Sequence, residues 1–527
     1  MFRITLLFIY LICFGGTLPA FSQKADILIK NGKIIDGTGN SWYYGSVAIK
    51  KNKILAVGLL PHIKAKKIID AQKKVIAPGF IDVHTHIEGD EKVSPRAESF
   101  IYDGVTSVIT GNCGSSKNDV KKYFKFLDSL KLSVNVGTFI GHNNVREAAM
   151  GTANRKPTAA ELEKMKGLVE KAMQDGAVGL STGLIYIPGT YSETEEVITL
   201  AKAAAKYNGV YTSHIRNESD KVFEAIDEAL NIGRQTGMPV QISHFKIGKP
   251  NWNRSPETLA LVQKARDAGL EVTIDQYPYT ASSTTINSLI PSWVLENGRD
   301  SIVARFKNPV IRQKIVTEMI RDMAQRDRPD FSYAVVANYK PNPAYNGKSI
   351  SEINKMMDRP YSIPSEIETI LDLAEKASAQ MVFHSMNEAD VERILQYPFT
   401  MVASDAGIRE FGAGVPHPRG YGSNGRVLSY YVREKKVIGL EDAIRRMTSL
   451  PAQKFGLGDR GLLKPGMKAD LVVFDPEKIK DLSTFEKPHA YTQGMEYVLI
   501  NGKLTVDNAK HTGERNGEIL YGPAYKK

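Results

Sequence analysis

Cysteine is nearly absent from this chain, with two in 527 residues, and a disulfide framework is thereby excluded. Cys13 lies in an N-terminal apolar run, so Cys113 stands alone in the body of the protein. A lone thiol is either inert buried filler or a group with a task. Low-complexity segments are missing, as is any short repeat. The apolar run Ile4–Phe14 is too short to span a bilayer well, so no stable membrane span is expected. Charge is unbalanced at +11, but its Lys-rich clusters (Lys64–Lys67, Lys121–Lys125, Arg433–Lys436) are short, scattered and not interleaved with aromatics. They read as solvated helix faces, and nucleic acid is not an expected partner.

The first 22 residues differ in kind. Arg3 precedes the apolar run, and small residues follow at Ala20 and Ser22, the pattern of a secretory signal peptide. The expected location is therefore periplasmic or secreted. Lipidation at Cys13 is disfavoured because Ile12, not a small residue, precedes it.

Short alternating strands with tight turns fill residues 23–77, and a similar texture returns over 452–527. Asn31-Gly32 and Asn501-Gly502 both read as hairpin turns. Two β-rich ends predict one small β-sandwich domain assembled from both termini. Between them, residues 78–451 alternate apolar strands with helical segments. Candidate strands are 80–86, 105–109, 134–140, 177–180, 210–214, 240–244, 272–276 and 401–404. Repeated β-then-α units mean parallel strands, and eight of them predict a closed (β/α)8 barrel of the TIM type, an α/β fold. The stretch from about 282 to 379 breaks the rhythm and reads as a helical insertion, a lid over the barrel mouth.

In such barrels, active sites form where strands run into loops at the C-terminal face. His84 and His86 end the first strand, and their i, i+2 spacing lets both imidazoles face one metal ion. Cys113 follows the second strand, His214 ends the fifth, His244 the sixth and Asp405 the last. Taken singly, each has a bland reading as a core histidine, a helix cap or filler. Together, imidazole nitrogens, a thiolate and a hard carboxylate are zinc-type ligand chemistry.

The His-x-His after Pro-Gly-Phe-Ile-Asp, the later single histidines and Ser404-Asp405 resemble the amidohydrolase superfamily. Gly111-Asn-Cys-Gly114, Gly141-His142, Gly179–Gly183, His214-Ile-Arg-Asn-Glu218, Ser243-His-Phe-Lys246, Tyr277–Ser283 and His417-Pro-Arg419 resemble its N-acyl-D-amino-acid deacylases, the D-aminoacylase family. Many amidohydrolases bridge two metals with a fourth-strand lysine, and Ala177–Gly183 contains none. The resemblance implies a tight zinc site at Cys113, His214 and His244, with a looser one at His84 and His86 sharing Cys113. It implies hydrolysis of N-acyl-D-amino acids, small-molecule substrates, to a carboxylate and a free D-amino acid. Asp405 is the expected general base, taking the proton of the attacking water and returning it to the departing amine. Lys246, two residues past His244, should face the mouth with Tyr277. The resemblance places the substrate carboxylate against these two and Ser283, and places Met386 in the pocket lining. Phe245 and Ala406 depart from the histidine and glycine common there. Two other readings stay open: another amidohydrolase reaction (on a cyclic amide or an acyl dipeptide), and a non-catalytic binding protein.

Overall fold

The computed structural model describes residues 24–526. The expected signal peptide at 1–22 lies outside the described residues. Eight parallel strands alternate with helices in the middle of the chain: β1 (Phe80–Asp82), β2 (Val105–Thr110), β3 (Asn135–Thr138, resuming at Ile140–Gly141), β4 (Gly179–Gly183), β5 (Val210–His214), β6 (Val240–Ile242), β7 (Val272–Gln276) and β8 (Thr400–Val402). Each pairs with its successor: β1 with β2, β2 with the first half of β3, its second half with β4, and so on to β7 with β8. A parallel bridge between Thr85 and Ala406 joins the last strand back to the first, reinforced by the Asp405 N–H donating to the His84 carbonyl at 2.9 Å. That ring is the expected barrel. β1 ends four residues before His86, and the bridge carries the chain past both histidines.

The strands are buried on both faces, as parallel strands covered by helices must be. Ile81, Val83, Ile109, Phe139, Val178, Val210 and Met401 cluster with Leu450 and Phe455, so residues of and beyond the helix Ser449–Lys454 pack against strand residues. No helix among the described residues is long and apolar enough to cross a membrane.

Both chain ends meet in one nine-stranded sheet, where Leu471–Phe474 pairs antiparallel with Val75–Pro78. Asn501-Gly502 makes the expected hairpin, with φ of 49° and 77° joining Ile500 to Lys503. Asn31-Gly32 does not. It sits within the 11-residue strand Lys24–Ile34, at a register shift against Tyr43–Lys50, with Asn31 at φ 58°. It is a bulge, not a turn. Beyond it the strand exchanges one parallel neighbour, Lys64–Asp70, for another, Val75–Pro78. A Cβ on Gly32 would stand 2.2 Å from Ile76 Cδ1, so any larger residue there has to displace the Ile76 side chain. Past His511 the chain leaves this sheet: Leu520 N–H donates to the Val136 carbonyl on β3, placing residues 517–522 against the barrel.

The insertion is not purely helical. Ser282–Thr285, Ala334–Asn338 and Gln380–Phe383 form a three-stranded antiparallel sheet with the last strand central, which extends the insertion to Phe383. Its helices begin on clear signals. Asn308 accepts from the Val310 and Ile311 N–H groups just before Pro309, and Ser362 caps Ile363–Lys376. Their apolar faces close a core of their own, including Phe306, Ile315, Met319, Ile367, Ile370 and Met381.

Candidate active site

The strand ends and the loops beyond them bring all six expected groups to one place. Cys113 Sγ lies 3.3 Å from His84 Nε2 and 3.5 Å from His244 Nε2, while His86 Nε2 lies 3.1 Å from Asp405 Oδ1. Three donor sets converge, each with its atoms within 4.8 Å of one another: Cys113/His214/His244, His84/His86/Cys113 and His84/His244/Asp405. Cys113 belongs to two of them. The backbone makes this possible by turning sharply as the strands end. Cys113, His244 and Asp405 adopt left-handed conformations, with φ of 52°, 33° and 50°. Such geometry costs on the order of 1 kcal/mol or more per residue and persists only where neighbours enforce it. Here His244 N–H donates to the Asp275 carboxylate at 2.7 Å, and Gly114 N–H donates to Ser181 Oγ at 3.1 Å. Gly183 packs against the Cys113 carbonyl so closely that a Cβ would meet it at 2.1 Å.

Burial pushes the Cys113 thiol up, but the His84 and His244 rings overturn this and hold it well below its usual range, as thiolate. Asp405 behaves alike: burial raises it, yet the Arg419 guanidinium at 2.8 Å and the His84 and His86 rings keep it well below the usual carboxylate range. Both ring nitrogens of His214 are buried with no hydrogen-bond partner, an expensive state for an imidazole that ligates nothing. An imidazole with a ring nitrogen free to ligate, beside a thiolate and a second imidazole, is the donor set zinc takes. The residues present fit that ion.

Carboxylates behind the ring nitrogens orient them. Asp275 Oδ1 stands 3.1 Å from His84 Nδ1, and Glu218 Oε1 stands 3.0 Å from His244 Nδ1. With His244 Nε2 turned to the sulfur, Nδ1 faces both Glu218 Oε1 and the Lys246 ammonium, whose Nζ stands 2.9 Å from it. Lys246 Nζ donates to the same Glu218 oxygen at 2.5 Å. Burial lowers Lys246, but Glu218 outweighs it and keeps the ammonium charged.

The substrate-side residues line one cavity of about 580 Å³ with His214, His244 and Asp405. Tyr277 O–H points to Met386 Sδ at 3.7 Å, and the Arg419 guanidinium lies 4.5 Å from the Tyr277 ring. Burial raises that phenol to about 12, so it stays protonated and able to donate. Ser283 also borders the cavity, but its hydroxyl proton goes to the Met381 carbonyl at 2.8 Å, inside the insertion sheet. Three groups escaped the sequence reading as functional: Asp275, Glu218 and Arg419. The last two lie in the quoted motifs His214–Glu218 and His417-Pro-Arg419, yet nothing in their spacing assigns them a partner.

The profile of the amidohydrolase family matches residues 67–506. The N-acyl-D-glutamate deacylase of Alcaligenes xylosoxydans xylosoxydans is 35% identical, the match covering 94% of this chain and 97% of that one. The D-aminoacylase of the same organism is 32% identical, covering 95% and 98%. Among solved structures, the N-acyl-D-glutamate deacylase of Bordetella bronchiseptica, complexed with zinc and a phosphonate mimic of the reaction's tetrahedral intermediate, superposes with a TM-score of 0.81 at 35% identity, covering 95% of this chain and all of that one. With matches of this extent, the chain belongs to the amidohydrolase family and, within it, to the N-acyl-D-amino-acid deacylases.

Proposed function

We propose that this protein is a zinc-dependent hydrolase that cleaves the amide bond of N-acyl-D-amino acids. The observation that carries the reading is the Cys113/His214/His244 donor set meeting Asp405 on the wall of a cavity that Lys246 and Tyr277 also line. The names of the relatives support the substrate class and the D configuration. Zinc held by Cys113, His214 and His244, with His84 and His86 offering a second position, would supply Lewis acidity toward water and the amide carbonyl.

The protein's own groups do the rest. Asp405, kept ionised by Arg419, takes the proton of the attacking water and passes it to the departing nitrogen. Its contact with His86 at 3.1 Å holds the carboxylate over the site. Lys246 and the Tyr277 hydroxyl take the substrate carboxylate, and Met386 walls the pocket behind them. Glu218 links the two functions, since one oxygen holds both the His244 ring and the Lys246 ammonium. Metal analysis combined with amine release from a panel of N-acetyl-D- and N-acetyl-L-amino acids tests the reading. Bound zinc with release confined to the D series is expected, and release from the L series alone sinks it.

The basic and apolar start of the chain supports export to the periplasm or beyond. N-terminal sequencing of the protein from cell fractions should find a start near residue 23 outside the cytosol. Full-length protein confined to the cytosol contradicts export.

A further inference from the structure

A second, smaller cavity of about 310 Å³ adjoins the substrate cavity and takes no part in the chemistry above. Its walls come from three places: the loop after β1 (Asp90, Val93, Ser94), the insertion sheet (Ala337, Asn338, Gln380) and the loop that follows Asp405 (Ile408, Arg409, Glu410). Ser283 borders both cavities, which makes them neighbours.

Four charged side chains line it, two of each sign: Asp90, Glu410, Lys340 and Arg409. Among the described residues none of the four has an ion-pair partner, and none of these side chains makes a hydrogen bond. The substrate cavity differs, since Lys246 is paired there with Glu218 at 2.5 Å and Arg216 with Glu228 at 2.8 Å. Lys340 and Glu410 are exposed at the rim, where water reaches them. Asp90 and Arg409 lie deeper. Asp90 Oδ2 rests on the chain just past Asp405, where a Cβ on Gly407 would meet it at 2.1 Å. Arg409 Nε is buried with no hydrogen-bond partner, and a Cβ on Gly420 would meet it at 2.8 Å. Burial raises the Asp90 carboxyl to about 6 against the pull of Arg409, as expected of a carboxylate without a close counter-ion. The groups behind do not tip this balance. Arg419 is held by Asp405 at 2.8 Å, and His417 is neutral, its Nδ1 accepting the Arg419 N–H at 3.0 Å. Val93, Ile408, Ala413 and Pro416 supply apolar wall.

We propose that this cavity binds a free aliphatic α-amino acid as its zwitterion, with Arg409 taking the carboxylate, Asp90 the ammonium and the apolar wall the side chain. A guanidinium takes a carboxylate bidentately. A zwitterion meets both unpaired groups at once, whereas a simple anion or amine leaves one of them unmet. The amino acid released by the proposed deacylation belongs to this class. That link rests on the deacylase reading, while the site itself does not.

The test uses the Lys246→Ala protein, so that binding at the catalytic site is weakened, and calorimetric titration with three compounds. D-Leucine carries both charges, D-leucinamide lacks the carboxylate and 4-methylpentanoate lacks the ammonium. D-Leucine should bind one to one and at least about tenfold more tightly than either of the others. Adding Arg409→Gln should make D-leucine no better than D-leucinamide. Adding Asp90→Asn should make it no better than 4-methylpentanoate, and because this change keeps the side-chain shape, that arm stands by itself. No binding of D-leucine, equal affinity for all three compounds, or a preference that survives either substitution overturns the site. Hydrolysis of N-acyl-D-amino acids by the wild type is read separately. Its absence beside intact zwitterion binding retires the deacylase reading and leaves the cavity assigned, and hydrolysis without zwitterion binding does the reverse.

Discussion

Two walls face each other across the substrate cavity, and they are built on different principles. The barrel wall is dense with charge and over-determined. Cys113, His244 and Asp405 hold left-handed backbone conformations, and each charged group has a partner: Asp405 with Arg419, Lys246 with Glu218, His84 with Asp275. The insertion wall has its own apolar core and a short three-stranded sheet, and it presents an arginine with no ion-pair partner among the described residues. One wall is organised for chemistry, where a displaced atom is costly. The other is organised for shape and choice of substrate. Substitutions on the barrel side should therefore act steeply on turnover, and those on the insertion side should act gently and on selectivity.

The sharpest break of this contrast is at Cys113, because it belongs to two of the three donor sets. Cys113→Ala should leave the purified protein without stoichiometric zinc and without measurable hydrolysis. Metal analysis after gel filtration checks this, and full zinc retention would mean that the histidines alone hold the ion. Next in size is Asp405→Asn, which keeps the shape but cannot accept the water proton. It should lower kcat by about 10²–10⁴-fold while zinc content stays at the wild-type level. Loss of zinc together with rate would make Asp405 a ligand first and a base second.

Lys246→Ala should act one step more mildly. Losing a charged hydrogen bond to the substrate is worth about 1.5–3 kcal/mol, so KM for N-acyl amino acids should rise by about tenfold or more. Uncharged amides should be affected far less. Equal effects on both would place Lys246 with the metal through Glu218, not with the substrate.

The legibility of the two walls differs for the same physical reason. Strand ends on a parallel barrel are marked by apolar runs that stop at a polar residue, so His84, His86, Cys113, His214, His244 and Asp405 stood out by position. Their supporting partners did not. Glu218 meets Lys246 across 28 residues and Asp275 meets His84 across 191, and no local pattern encodes such pairs. The insertion hid its sheet because Ser282-Ser-Thr-Thr285 has no apolar alternation, being only half-buried at the cavity edge. Asn31-Gly32 misled because the same dipeptide satisfies a hairpin turn and a bulge. Only the neighbouring strands Lys64–Asp70 and Val75–Pro78 decide between them.

The mildest substitution probes whether the walls are truly separate. Ile315 is fully buried in the insertion core among residues between 286 and 383, and no barrel strand contributes to that cluster. Ile315→Ala removes three carbons from a closed apolar space, and such truncations cost about 2–5 kcal/mol. If the insertion opens as its own unit, that loss should appear as faster amide exchange in Pro309–Gln325 and Ile363–Lys376, with the barrel strands unchanged. Zinc content and kcat should stay near the wild-type values, because no group that ligates or moves a proton resides there. Exchange that speeds equally in β4 through β7 would show that insertion and barrel open together. The contrast between a rigid chemical wall and an independent selecting wall would then fail, because one cooperative unit would carry both.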